Sequence, residues 1–476
     1  MTDEASASEA AGQRAIANTV LRAGGDIIGK LASLVLFAVM ARELSTTELG
    51  TFVFGLALLQ IALVPIEFGF DRYLLRRVAT ERDSVHALFF DVISLKLALA
   101  VPILAVVALV LSVAGYGDQT RETVWVLAIG SVLDAVSNTI YSVFLAHERN
   151  GLIAVVVIVE RLAAAAAGLA VLALGYGVVA VAATFSAASA VGLVMAAVLL
   201  VRRIGLPRRT VSARGWLRLS AVSLPFGLQD VFSVLLFKLD AVILSLMATQ
   251  TAVAIYGGAY RLLESSLFIT YALTGAFAPM YTYLDRHSEP TVGAAFERSL
   301  KLALVTLIPV AAVFAVLAEP ICRFLFGSGL ADAAEPLRYL APVVVLIGIV
   351  TLSSSLIVSR RNPMVMVWST AAIVLVNIGL NVALIPSLDE TGAAVAMLVS
   401  EVAFLAVIGP MAARTVGGVR WLRATAGPLL AGAVMVPMLL LLDDAPVVAV
   451  AVASVAYLLV LVLVERLIAP RDLELV

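Results

Sequence analysis

Charged and polar residues set inside long apolar stretches are where this chain could do chemistry. Arg22, Asp26 and Lys30 fall at i, i+4 and i+8, on one face of a helix. Gln229, Asp230, Ser233, Lys238 and Asp240 share another apolar stretch, with Asp230 and Lys238 on a common face. Tyr256, Tyr260 and Glu264 step along a third at the same spacing, with Arg261 alongside. Ser131, Asp134, Asn138 and Tyr141 make a polar stripe, and Glu160 adjoins Arg161 in the stretch that follows. An ionised group at mid-bilayer costs on the order of 3 kcal/mol on insertion scales, so such residues must face protein or a wet cavity. Each cluster has two readings: structural neutralisation by ion pairing, or a lining for the path of a polar cargo. Arg261 lies about eleven residues into its stretch, roughly 16 Å at 1.5 Å per residue, too deep to snorkel easily. A guanidinium at that depth can make bidentate hydrogen bonds to an anionic group. The candidate substrate-binding residues are therefore Arg22, Asp26, Lys30, Asp134, Asn138, Arg161, Asp230, Lys238, Asp240, Tyr256, Tyr260, Arg261 and Glu264.

The deep cations Lys30, Arg161, Lys238 and Arg261 face a larger set of acids: Asp26, Asp134, Glu160, Asp230, Asp240, Glu264 and Glu401. The interior is thus not cationic overall. Either several acids are protonated or paired, or they serve a coupling proton or sodium ion.

The elements that position these residues follow from composition. The 476 residues are 62% hydrophobic and 14% charged, with mean hydropathy +1.06. Successive apolar runs of about 20 residues predict an all-α, polytopic membrane protein of about 14 transmembrane helices. A β-barrel would need short alternating segments, which the sequence lacks. Arginines concentrate in alternate loops, as at Arg72, Arg76, Arg77 and Arg82, at Arg202 to Arg218, and at Arg414 and Arg420. By the positive-inside rule both termini are cytoplasmic. The N-terminus, Met1 to Gly12, has no basic region that would mark a signal peptide. The basic loop suits anionic membrane lipid; nucleic-acid binding is not expected. His86, His147 and His287 fall in loops and Cys322 is the one cysteine, so no metal site and no disulfide is expected. Gly24 to Leu31 nearly spells a phosphate-binding loop, but Leu31 replaces the required hydroxyl residue and no strand precedes it. No cofactor is implied.

Ser94-Leu95-Lys96-Leu97-Ala98-Leu99 returns letter for letter as Ser299-Leu300-Lys301-Leu302-Ala303-Leu304, using two of the four lysines in the chain. Such self-similarity in a membrane chain points to a transporter of two like bundles. The expected organisation is a cytoplasmic tail (1–14), an N-lobe of spans 1–6 (15–201), a basic linker (202–218), a C-lobe of spans 7–12 (219–412) and two further spans with a tail (413–476). An even span count per lobe makes the repeats parallel, with their axis along the membrane normal. Lys96 and Lys301, near the start of their spans, are expected to snorkel. Asn377 and Asn381 suit interhelical hydrogen bonding.

The segment Arg42-Glu43-Leu44 through Glu48-Leu49-Gly50-Thr51-Phe52, then Phe68-Gly69-Phe70 before Arg76, resembles the bacterial polysaccharide-biosynthesis flippases. Leu224-Pro225-Phe226-Gly227, Asp240 to Leu244, Tyr256, Ala259-Tyr260-Arg261-Leu262 and Ala278-Pro279 resemble their second-half pattern, and Asn381 to Pro386 with Gly392 to Ala396 their eleventh-to-twelfth connection. That family belongs to the multidrug/oligosaccharidyl-lipid/polysaccharide exporter superfamily. The likeness runs from about residue 15 to 412; Ala254 and Asp389-Glu390 depart from it. It implies flipping of an undecaprenyl-diphosphate-linked oligosaccharide to the outer leaflet of a bacterial plasma membrane, for surface polysaccharide assembly beside a polymerase machinery. Of the candidates, the resemblance carries over Arg261 and Asp240. A cation-coupled drug antiporter and a peptidoglycan lipid-precursor flippase are the alternatives. A membrane glycan polymerase would need a sizeable outer loop, and the sequence offers none, so no enzyme activity is expected.

Overall fold

The computed structural model describes residues 28–208, 211–285, 289–360 and 364–468. Arg22, Asp26 and the tail 1–14 lie outside them. Among the described residues there are helices and turns and no β-strand. Helix α1 covers 28–43. Next come α2 (Thr46–Ala62), the single turn α3 (Val64–Glu67), α4 (Phe70–Thr80), α5 (Ser84–Val113), α6 (Asp118–Ala146), α7 (Asn150–Ala173) and α8 (Val178–Arg203). The chain continues with α9 (Ala213–Met247), α10 (Gln250–Asp285), α11 (Glu289–Val316), α12 (Ala318–Phe326) and α13 (Ala334–Arg360). It closes with α14 (Met364–Thr415), α15 (Trp421–Leu441) and α16 (Pro446–Ile468).

Ten helices among the described residues are long and apolar enough to cross a membrane. The expected fourteen include α1, α9 and α10, which fall outside those ten, and count α14 as two spans. The α14 helix does break, at Asp389 (φ 45°, ψ −127°), three residues after Pro386. Asn377 on one side of the break donates to Ser400 Oγ on the other at 3.3 Å, so the two limbs are tied by buried amide and hydroxyl groups. Local sequence sets other boundaries. Ser45 and Glu48 form a reciprocal capping box at the head of α2, which stabilises a helix start by about 1 kcal/mol. Gly115 (φ 71°) ends α5 in the left-handed region, where a side chain would be strained.

The chain divides into two compact units, Met1–Val242 and Ile243–Val476, so the division falls inside α9. In the first unit, Leu74, Phe89, Val143, Phe144, Val156 and Leu200 join α4 through α8 in one core. The start of α9 belongs to this unit because α5 holds it: Asp91 Oδ1 accepts from the Ser212 amide at 2.8 Å, and Trp216 Nε1 donates to Ser94 Oγ at 3.1 Å. In the second unit, Leu317, Met435, Leu439, Tyr457 and Leu461 pack α15 and α16 against α11. Large apolar side chains also cover the outside, among them Val101, Leu109 and Val113 on α5 and Leu459 and Leu463 on α16. In water such a surface would aggregate; in lipid it is the solvated face.

The repeated hexapeptide works as a pair of buried polar anchors. Ser94 holds Trp216, and Ser299 bonds the Tyr281 hydroxyl. Lys96 and Lys301 do not snorkel. Lys96 is 1% exposed and Lys301 12%, and each points at carboxylates inside its own unit. Snorkelling needs water within the length of the stem, whereas a buried acid nearer the ammonium neutralises it in place.

Candidate functional site

A cavity of about 500 Å³ in the first unit gathers the polar residues of α2, α3, α4, α6 and α9. It owes its polarity to a break in the chain. Pro65 ends the run of α2, Phe68 takes a strained left-handed backbone (φ 20°), and Gly69 follows at φ 73° before α4 begins. A non-glycine residue at positive φ costs on the order of 1 kcal/mol or more, so packing must hold Phe68 there. Its ring lies against Gly227 of α9, where even a methyl group would collide with it. The break turns Glu67, Asp71 and Arg72 inward from what would otherwise be a polar loop.

Lys96 of α5 is buried behind this lining and does not itself border the cavity. Its Nζ lies 2.6 Å from Asp71 Oδ2 and 3.1 Å from Glu67 Oε2, and donates to the Ala135 carbonyl of α6 at 2.7 Å. The other carboxylate oxygens are also engaged. Asn138 Nδ2 donates to Glu67 Oε1 at 3.1 Å, and the Thr139 hydroxyl donates to Asp71 Oδ1 at 2.8 Å. Burying one ammonium between two carboxylates is tolerable only with such saturation, since each desolvated ion costs several kcal/mol. On the opposite wall Arg72 Nη2 meets Asp230 Oδ1 of α9 at 2.7 Å, and Gln229 Nε2 donates to Ser233 Oγ. Asp134 completes the lining. The site therefore sets four carboxylates against two cations, an acid surplus within a mostly apolar wall. Such a cavity suits a cation or the hydroxyl groups of a sugar, each of which carboxylates accept from or neutralise.

Of the sequence candidates, Asp134, Asn138 and Asp230 meet in this cavity. Arg161 stands beside Glu160 on α7 in a second polar cluster with Asp134 and Tyr141. Glu160 there is buried against Gly192 of α8, where a methyl would stand 2.6 Å from its Oε2, while Arg161 itself is exposed. Lys30 is half-buried on α1, Lys238 half-buried on α9, and Asp240 fully buried. None of these lines the cavity. In the second unit Arg261 Nη1 lies 3.3 Å from Glu264 Oε2, both side chains a little over a quarter exposed. Tyr256 and Tyr260 are buried and stack on one another with ring centroids 5.8 Å apart.

Glu67, Asp71, Arg72 and Lys96 are the site residues that sequence reasoning missed. Arg72 reads as one more loop arginine, and Lys96 as a snorkelling residue. The signal lay in Glu67 and Asp71 bracketing Phe68-Gly69, and in a lysine conserved between the two repeats of the chain.

A family model described as "Polysaccharide biosynthesis protein" matches residues 15–284. A protein of Haloferax volcanii described as a "probable low-salt glycan biosynthesis flippase", Agl15, is 23% identical over 371 residues, covering 76% of this chain and 75% of the relative. Among solved structures, the lipid II flippase MurJ in an inward closed conformation superposes with a TM-score of 0.69 at 14% identity, covering 94% of this chain and 99% of that one. An inward-facing multidrug resistance MATE family transporter of the MOP superfamily gives 0.67 at 17% identity, covering 82% of this chain and 94% of the other. At these identities the two structures establish a shared fold.

Proposed function

The chain belongs to the polysaccharide biosynthesis protein family, and on that premise we propose that it flips an undecaprenyl-diphosphate-linked oligosaccharide from the cytoplasmic to the outer leaflet of a bacterial plasma membrane. Support for a multi-pass membrane transporter comes from the family match, from a relative described as a flippase and from a fold shared with a transporter of the MOP superfamily. The observation that carries the finer reading is the family match over residues 15–284, which takes in every residue of the polar cavity and Arg261. The relative named as a glycan biosynthesis flippase supports the same substrate class.

The chemistry divides between the units. The first-unit cavity, with its acid surplus, takes the coupling proton or sodium ion and accepts from sugar hydroxyls through Asn138, Asp134 and Asp230. Arg261 supplies the guanidinium for the diphosphate and exchanges Glu264 for it during transport. Two lobes in alternating access carry the cargo, both termini stay cytoplasmic, and the flipped product passes to the polymerase machinery. The test is direct. Deletion of the gene should accumulate lipid-linked glycan on the cytoplasmic leaflet and remove surface polysaccharide, and the intact protein should restore both. Unchanged surface glycan in the deletion strain overturns the reading.

A second reading, a cation-coupled drug antiporter, is favoured by one observation: four carboxylates line the cavity with one lining cation, Arg72, and Lys96 buried behind them. Loss of drug resistance with glycan export intact would assign the protein there.

A further inference from the structure

The transport reading makes no use of a cleft in the second unit where α11 meets the head of α15. Glu297, Arg298 and Lys301 line it from α11, Arg420 and Arg423 from the other side. Two acids, Glu297 in its lining and Glu465 behind Lys301, are already committed. Glu297, 15% exposed, accepts from the Arg420 backbone amide at 2.8 Å and from its Nε and Nη2 at 3.1 and 2.9 Å. Glu465, 4% exposed, holds Lys301 Nζ at 2.5 Å. Arg298 and Arg423 are exposed, and among the described residues no carboxylate pairs with either. Four cations thus share two acids, and the two guanidiniums left over border the same opening.

What adjoins them separates the possible ligands. Trp421 and Leu422, next to Arg420 and Arg423, are exposed at the head of α15, Leu422 at 77%. Tryptophan at a span end sits at headgroup depth in a bilayer. The arginines at the foot of α11 and before α15, Arg298 and Arg420, are among those the positive-inside rule assigns to the cytoplasmic leaflet, which carries the anionic lipids. A guanidinium pair beside an exposed Trp-Leu step matches an amphiphile whose phosphate is followed at once by apolar carbon.

We propose that this cleft binds the phosphate of an anionic phospholipid. Arg298 and Arg423 donate to the phosphate oxygens, Lys301 and Arg420 fix the positive field from their acid-held positions, and Trp421 and Leu422 cover the glycerol and first acyl carbons.

Native mass spectrometry of the full chain in detergent tests it, with phosphatidylglycerol and phosphatidylcholine as the probes. Phosphatidylglycerol should be retained in preference. The double variant R298Q/R423Q should weaken its binding about 25-fold, on the order of fivefold per arginine beside an anionic headgroup. R298K/R423K, which keeps both charges but loses the fork, should lose part of that affinity and fold as the parent does. W421A/L422A should weaken phosphatidylglycerol binding too, and millimolar inorganic phosphate should fail to displace the lipid. Equal loss in R121Q/R323Q, made at α6 and α12 outside the cleft, would reduce the effect to bulk charge and overturn the proposal. So would displacement by inorganic phosphate together with an unaffected W421A/L422A variant, which would make the ligand free phosphate.

Discussion

Lys96 Nζ stands 2.6 Å from Asp71 Oδ2 in a part of the first unit where Lys96 itself is 1% exposed. Glu67 shares the same ammonium at 3.1 Å. Lys96→Met should therefore leave two carboxylates facing each other without a counter-charge, a loss of about 3–5 kcal/mol. Thermal unfolding in detergent should show it. Adding Asp71→Asn to Lys96→Met should recover much of that loss, and a double variant no more stable than Lys96→Met would refute the pairing.

Arg261 and Glu264, 3.3 Å apart, make a pair that export can test. Arg261→Lys should keep the charge yet impair flipping, because ammonium cannot reproduce the bidentate contact. Arg261→Ala should lower export at least tenfold, on the scale of one charged hydrogen bond. Normal surface glycan in a well-expressed Ala variant would make Arg261 an internal partner for Glu264 only.

Wetness of the first-unit cavity can be read with thiol probes. Cys322 is the single cysteine; it is buried, and burial pushes its thiol up to about 12. Since the thiolate is the reactive form, the parent protein should not label at neutral pH. Asn138→Cys and Ser233→Cys should react with a hydrophilic maleimide, whereas Asn377→Cys and Ser400→Cys, fully buried in α14, should not. Silence at both cavity positions would mean the cavity is closed to water.

Lys301 and Glu465 tie α11 to α16. Glu465→Leu alone should destabilise by about 3–5 kcal/mol, while Glu465→Leu with Lys301→Met should be near neutral. Melting temperatures of the full chain would show whether the double variant rises back to the parent. Gly427→Val should mimic the first loss, since a methyl at that position already collides with the Glu465 carboxylate.

Fold class was legible because it rests on bulk quantities: apolar runs of bilayer length, arginine-rich loops in alternation and a hexapeptide repeated within the chain. Asp134 and Asp230 were legible as intramembrane acids, for which lipid leaves few places to go. Glu67, Asp71 and Arg72 were not, because their inward turn depends on a local event at Phe68 and Gly69 that is held by a distant residue, Gly227. Helical spacing placed Tyr256 and Tyr260 on one face, but it could not say that their rings would stack on each other. Pattern gives the direction of a side chain; burial decides what it meets.

The Lys301–Glu465 contact spans 164 residues of sequence. At about 5–20 residues per second, synthesis of that interval takes on the order of 10–30 s. Over that time the nascent chain holds α11 in or near the membrane with its lysine lacking the carboxylate that will bury it. Until α16 arrives, the tie between α11 and α16 cannot form. The second unit is thus committed to a late closing step, and a ribosome stalled before Glu465 would leave a bundle whose charge invites quality control.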